Sequence, residues 1–281
     1  MATLLCSIST FLEQIIVKIN KLVTSLVLAG LVVSAPLAYA ESNASGMTDT
    51  QKKQVQDVVH DYIIKNPDVV VQSLQIYQQS QMDQAKKTIE NTQNNSPKYA
   101  DALFHQASDP VAGNPNGKFT VVEFFDYQCP HCVDMSSVID DLVKNNPNVR
   151  VVFKEFPIRG PISEIATKAA LAAQQQGKYY EFHKALMTSK QEPLTEDAIY
   201  ALAKSVGLDV DKLKTAMRSD AVAQQIKANY KLAQDLQLLG TPALFIAKTN
   251  ISKGSPSTAI VFVPGQVDKA QMQAMLAKVS S

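Results

Sequence analysis

The chain has 281 residues, with 27 Lys and Arg against 26 Asp and Glu, for a formal net charge of +1. That length accommodates one large domain or two. A balance so close to neutral gives no electrostatic footing for nucleic acid, so none is expected as a partner.

Residues 1–40 read as a secretory signal. Lys18 and Lys21 precede the apolar run from Leu22 to Val33, and Ala38-Tyr39-Ala40 supplies the small residues of a cleavage site before Glu41. A retained membrane anchor is the alternative, and Pro36 with the Ala-x-Ala site argues against it. The stretch before Lys18 is long for a signal, which places the true start downstream of Met1. Cys6 lies ahead of the apolar run and should leave with the signal. The mature chain then keeps Cys129 and Cys132 alone, in a compartment where disulfides persist. Glu41 to Met47 is a polar, small-residue stub expected to be disordered.

Val55, Val58, Val59, Tyr62 and Ile63 recur at the spacing of an amphipathic helix. Asn66-Pro67-Asp68 stops it and starts a second, with Asn66 as cap and Pro67 at the first helical position. Val70, Leu74 and Tyr77 continue the apolar face. From Gln78 to Asn95 the sequence is rich in Gln, Lys and Asn, which predicts a solvated helix running into a linker. Two such helices cannot bury a core alone. Their apolar faces should dock on a second copy, giving a homodimer through residues 48–95, or on the rest of the chain.

Leu103 and Phe104 suggest the start of an edge strand, and Asp109 to Lys118, with two prolines and two glycines, a loop. Val121 to Tyr127 is an apolar and aromatic run of the kind found in buried strands. It ends at Cys129-Pro130-His131-Cys132, after which Val133, Met135, Ile139, Leu142 and Val143 recur at helical spacing. Cys129 thus falls at the N-cap and Pro130 at the first helical position, where its missing N–H costs nothing. A sulfur there feels unpaired N–H groups and the positive end of the helix dipole, so its thiolate is favoured. Cys129 is therefore expected to be the exposed, low-pKa nucleophile. Cys132, one turn on, should be protected and able to attack a mixed disulfide made by Cys129. Two other readings compete. Half a zinc site would need further ligands, and only His60, His105 and His183 lie outside the motif. A purely structural bridge would close almost no loop and constrain the unfolded chain little.

Asn145-Asn146-Pro147-Asn148 is a turn, and Val149 to Phe156 reads as a strand parallel to the first, a right-handed βαβ unit. Helical periodicity fills Ile162 to Leu239, with a helix start at Thr195-Glu196-Asp197 and a stop at Gly207. Ala243–Ala247 and Ala259–Val263 are short apolar strands able to pair as a hairpin, and a final helix runs from Lys269 to Val279.

The segment Phe124-Phe125-Asp126-Tyr127-Gln128-Cys129-Pro130-His131-Cys132 resembles the active-site segment of DsbA-family thiol:disulfide oxidoreductases. Phe153-Lys154-Glu155-Phe156-Pro157 and Gly240-Thr241-Pro242-Ala243-Leu244-Phe245 match as well. The resemblance spans Leu103 to the C-terminus, and the helical extension resembles that of dimeric, Com1-like members. It implies an α/β chain with a thioredoxin fold over residues 100–281, carrying a helical insert at about 160–239. It also implies a redox-active Cys129–Cys132 disulfide and a cis Thr241–Pro242 bond at a client-binding edge, where the residues alone suggest an ordinary trans proline. Glu123 falls at the family's buried acid near the inner cysteine, where a raised pKa would let it relay a proton. His131, between the sulfurs, could donate to the Cys129 thiolate, while His60, His105 and His183 read as helix or surface residues. No metal or organic cofactor is needed.

The implied function is a periplasmic oxidase that introduces disulfides into unfolded or misfolded cysteine-containing exported proteins and also isomerises them. A membrane partner of DsbB or DsbD type would reset it. The dimerising extension and Thr241 resemble isomerases and reductases kept reduced by a membrane donor, and a periplasmic chaperone is the non-enzymatic alternative.

Overall fold

A computed structural model describes residues 47–189 and 193–280. Residues 1–40, expected to be a signal, with Cys6 and most of the stub that follows, lie outside the described residues. The chain divides into two compact units, residues 1–67 and 68–281.

The first unit contributes helix α1, Asp49–Lys65. Thr48 begins it with a reciprocal capping box: its hydroxyl accepts from Gln51 N, and the Gln51 side chain accepts from Thr48 N. Asn66 ends α1, and its side chain bonds Tyr62 O at 2.8 Å, so it caps the end of the first helix where the start of the second was expected. No residue of α1 is buried.

The second unit opens with α2, Asp68–Asn95, a single helix of 28 residues. Its last turns are packed where a solvated linker was expected: Thr92 is buried, and its hydroxyl donates to Leu236 O at 2.7 Å. A 3-10 turn, Ser96–Tyr99, leads into the short helix α3, Ala100–Phe104. The edge strand expected at Leu103 and Phe104 is therefore helical, and both side chains are fully buried. The edge strand is instead β1, Val111–Gly113, inside the expected loop. It ends at Gly113, whose φ of +79 favours glycine and where a Cβ would stand 2.7 Å from Val149 O.

Strand β2, Phe119–Phe125, runs into α4, Pro130–Asn145, and the chain returns as β3, Val149–Glu155. β2 and β3 pair in parallel, as expected of the βαβ unit. The insert comprises α5 (Pro161–Gln174), α6 (Tyr179–Met187), α7 (Glu196–Ser205), α8 (Val210–Ala216) and α9 (Asp220–Asp235). Thr195 caps α7 through Ala198 N. Strands β4, Ala243–Lys248, and β5, Ile260–Pro264, form the antiparallel pair, and α10, Lys269–Ser280, closes the chain.

The sheet order is β1-β3-β2-β4-β5. β2 and β3 are central and covered on both faces, which explains why nearly all their side chains are buried, including Glu123, Lys154 and Glu155. One face packs α4, α10 and the insert around Val121, Phe125 and Phe153. The other packs α3 and the end of α9 around Val122, Phe124 and Phe245. A buried ion pair, Lys154 with Asp109, ties β3 to the segment before β1, while Lys154 Nζ also donates to Ala102 O at 2.7 Å. This is the thioredoxin fold with a helical insert, as the sequence leads one to expect.

Candidate active site

Cys129 is the N-cap of α4 and Pro130 its first residue. Cys129 N donates to Asp126 O at 3.1 Å, and Cys129 O accepts from Cys132 N and Val133 N, both at 3.0 Å. The Asp126 carboxylate is fully buried and holds this turn to its surroundings. It accepts from Gln128 N (2.7 Å), Ser163 Oγ (2.7 Å) and Arg159 N (2.9 Å), joining the approach to Cys129, the segment after β3 and the start of α5.

Both cysteines are free thiols and both are buried. An exposed Cys129 was expected. The difference arises because the turn before β4 lies against it: Cys129 Sγ donates to Thr241 O at 3.3 Å, and the Thr241–Pro242 bond is cis. Electrostatically the two sulfurs part company. Burial raises the Cys129 pKa, but hydrogen bonds from Thr241 and Cys132 and the charge of Arg159 outweigh it, and the thiol is more acidic than usual. Burial, then the charge of Glu123, pushes Cys132 far above the ordinary thiol range. Glu123 is 2% exposed, and burial together with the charge of Glu155 lifts its carboxyl to about 8.

The sequence-predicted residues Cys129, Cys132, Thr241, Pro242 and Glu123 thus converge. His131 and Pro130 sit on the exposed first turn of α4. The His131 Nδ1 lies 2.8 Å from Gln266 Oε1, a contact the sequence did not suggest. Gly265, at φ +122, turns the chain after β5 so that Gln266 faces α4, and Gly265 N donates to Pro242 O at 2.8 Å.

Sequence reasoning missed a second buried carboxylate. Glu155 Oε1 accepts from Tyr127 (2.9 Å) and Tyr179 (2.8 Å), and Oε2 from Thr167 (2.9 Å). The Tyr127 hydroxyl also lies 3.1 Å from His183 Nδ1. His183 is 3% exposed and stacked by Tyr179 and Tyr180, and burial pushes its pKa down to about 3, so the surface reading of this residue is corrected. Burial lifts Glu155 to about 8, against its hydrogen bonds, which act to lower it. One signal was available in the sequence: charged residues, Lys154 and Glu155, closing a strand that carries Val151, Val152 and Phe153. Asp126 and Gln266 left no comparable signal.

A thioredoxin-fold sheet whose central strand delivers a dithiol to a helix start, beside a cis-proline turn, defines a thiol–disulfide class of protein. The chain belongs to the DSBA-like thioredoxin domain family, which matches residues 120–277. The N-terminal domain of the copper resistance protein ScsC matches residues 51–84. A thioredoxin-like oxidoreductase of Silicibacter pomeroyi is 39% identical with a TM-score of 0.57, over 64% of this chain and 96% of that one. BcfH of Salmonella enterica Typhimurium is 30% identical with a TM-score of 0.60, over 83% and 97%. The thiol:disulfide interchange protein DsbA of Bordetella parapertussis is 28% identical over 142 residues, 49% of this chain and 67% of that protein. The chain spans about a fifth of other curated relatives, such as the sodium/proton antiporter NhaA 3 of Salinispora tropica, 29% identical over 140 residues that make up 49% of this chain and 21% of that protein.

Proposed function

We propose that the protein is a thiol:disulfide oxidoreductase whose nucleophile is Cys129 and whose partner thiol is Cys132. The observation that carries this is the opposed acidity of the two sulfurs beside the Thr241–Pro242 turn. In the oxidised protein a client thiolate attacks Cys129 Sγ and the Cys129–Cys132 bond breaks. The electron pair leaves on Cys132, which takes up a proton that Glu123 is placed to supply. A second client thiolate then attacks the client sulfur of the mixed disulfide, and Cys129 departs as the better-stabilised thiolate. The client gains a disulfide and the protein gains two electrons. Stabilising the Cys129 thiolate favours the reduced protein, so the disulfide is oxidising.

Disulfide introduction into exported, cysteine-containing proteins in the periplasm is the leading activity, with a DsbB-type membrane partner restoring the disulfide. Isomerisation of misfolded clients, with a DsbD-type partner keeping the pair reduced, is the second reading, and a chaperone role the third. Self-association favours isomerisation by holding a client while one dithiol attacks. It is supported by α1, which exposes Val58 at 69% and Ile64 at 67%, and by α2, which exposes Ile76 at 71% and Tyr77 at 62%. A homodimer through residues of about 48–90 is the smallest closed assembly that covers such faces.

Alkylation trapping of the pair in cells separates the activities: a mostly oxidised pair supports the oxidase and a mostly reduced one the isomerase. Cys129→Ser abolishes exchange, and Cys132→Ser accumulates mixed disulfides on Cys129. Clients trapped chiefly on Cys132 would overturn the assignment. Activity that survives both Cys129→Ala and Cys132→Ala marks the chaperone.

A further inference from the structure

The end of α2 does more than leave the N-terminal helices behind. β5 is the sheet edge beyond β4, and its outer backbone groups are taken by one side chain of α2. Gln93 Nε2 donates to Ser257 O and Ile260 O, each at 2.6 Å, and Gln93 Oε1 accepts from Phe262 N at 2.8 Å. The amide stands in for a missing neighbouring strand and closes this part of the edge to added chains. With Thr92 bonded to Leu236 O, it fixes the register of α2 against the domain.

One turn earlier, Ile89 and Thr92 form a wall of an apolar groove of about 300 Å³, faced by Leu239, Thr241, Pro242 and Phe262. Thr241 is the residue whose carbonyl meets Cys129 Sγ. The groove therefore runs from Thr241, which touches the reactive sulfur, to α2. Leu239, 63% exposed at its rim, has no cover, and the space suits one large apolar side chain.

We propose that α2 builds half of the client site, and that Ile89 selects for an apolar side chain next to the client's reacting cysteine. This rests on the exchange reading above. The occupant is an extended client segment. A chain covalently joined to Cys129 through its own cysteine must pass Thr241, and Gln93 occupies the alternative, pairing along this part of β5. No charged side chain lines the groove, so an acidic or basic neighbour of that cysteine loses water there without gaining an opposite charge.

The test uses the mature chain and two cysteine peptides, one with Leu beside the cysteine and one with Asp, and dithiothreitol as a thiol too small to reach α2. Wild-type protein should oxidise the Leu peptide faster. Ile89→Arg should cut that preference by roughly tenfold, the lower end of what burying one leucine is worth, with each peptide rate taken relative to dithiothreitol oxidation by the same variant. Ile89→Leu should keep the preference. An equal Leu-to-Asp ratio in wild type and Ile89→Arg overturns the proposal, as does a parallel loss with all three thiols. If wild-type protein oxidises none of them, the exchange reading falls and the groove is judged by binding alone. The Leu peptide with Ser in place of Cys should then bind in fluorescence anisotropy, and Ile89→Arg should weaken it by about the same factor. Equal binding to both proteins overturns the groove, and so does a groove that resists the peptide because another part of the chain or a second copy fills it.

Discussion

Glu123 on β2 and Glu155 on β3 lie diagonally across a parallel ladder on one face of the sheet. Glu123 pairs with Phe153 and Phe125 with Glu155, so the two carboxylates point the same way, toward the core that holds both cysteines. Each is buried and each is lifted to about 8, in Glu123 partly by the charge of the other.

The pH dependence of stability follows from that pair. In the unfolded chain both carboxyls lose their protons near the ordinary value of 4.5, while in the folded protein they hold them to about 8. Between those values the native state binds more protons than the unfolded state, so stability falls as pH rises. The slope is up to about 1.4 kcal/mol per pH unit for each carboxyl. Thermal melting temperatures of the reduced protein should fall steadily from about pH 5 to about pH 8, the span between the unfolded and folded values. Glu123→Gln should flatten part of that fall, and an unchanged slope would show that the Glu123 carboxyl does not hold its proton.

Tyr127 links the Glu155 cluster to the turn that carries Cys129. Tyr127→Phe keeps the ring packed against Phe125 but removes one donor from Glu155 and leaves His183 Nδ1 without its partner. The expected cost is about 1–3 kcal/mol in urea unfolding. A loss below a few tenths of a kcal/mol would mean that water replaces the hydroxyl at little cost.

Gln266 engages the His131 ring through Nδ1. Gln266→Ala should free the ring to approach Cys129 and make the thiol more acidic, read from the ultraviolet absorbance of the thiolate against pH. Gln266→Glu should keep the ring engaged. A rise in the Cys129 pKa on Gln266→Ala would reverse the role given to this contact.

The Lys154–Asp109 pair is buried to 2% on both side chains. Asp109→Asn strands the lysine and should cost about 3–5 kcal/mol, whereas the double change Lys154→Met with Asp109→Leu should recover much of that. Equal destabilisation by the single and double variants, measured by chemical unfolding, would place the energy in packing rather than in charge.

Self-association is expected to depend on α1 and the first turns of α2. Deleting residues 41–84 keeps Thr92 and Gln93 on the domain and should yield a monomer by light scattering that still exchanges thiols. A longer deletion, through residue 95, also uncovers the β5 edge and should promote aggregation. A full mature chain that is monomeric at micromolar concentration removes the isomerase argument built on the assembly.

The sequence by itself determined what short-range periodicity and turn chemistry control: the strand running into Cys129, Pro130 at the helix start, the βαβ unit, the helical insert and the final hairpin. Glu123 and the cis Thr241–Pro242 turn were legible only through resemblance to a family. The tertiary structure decided what depends on groups far apart in the chain. Glu155 meets Tyr127, Thr167 and Tyr179 only once β3 packs against the insert. Gln266 reaches His131 across 135 positions, and Gln93 reaches Phe262 across 169. Cys129 is buried because a turn more than a hundred residues later in the chain closes on it. Such contacts carry no periodic signature, because a polar side chain on a helix looks alike in sequence whether it faces water or the unpaired edge of a sheet.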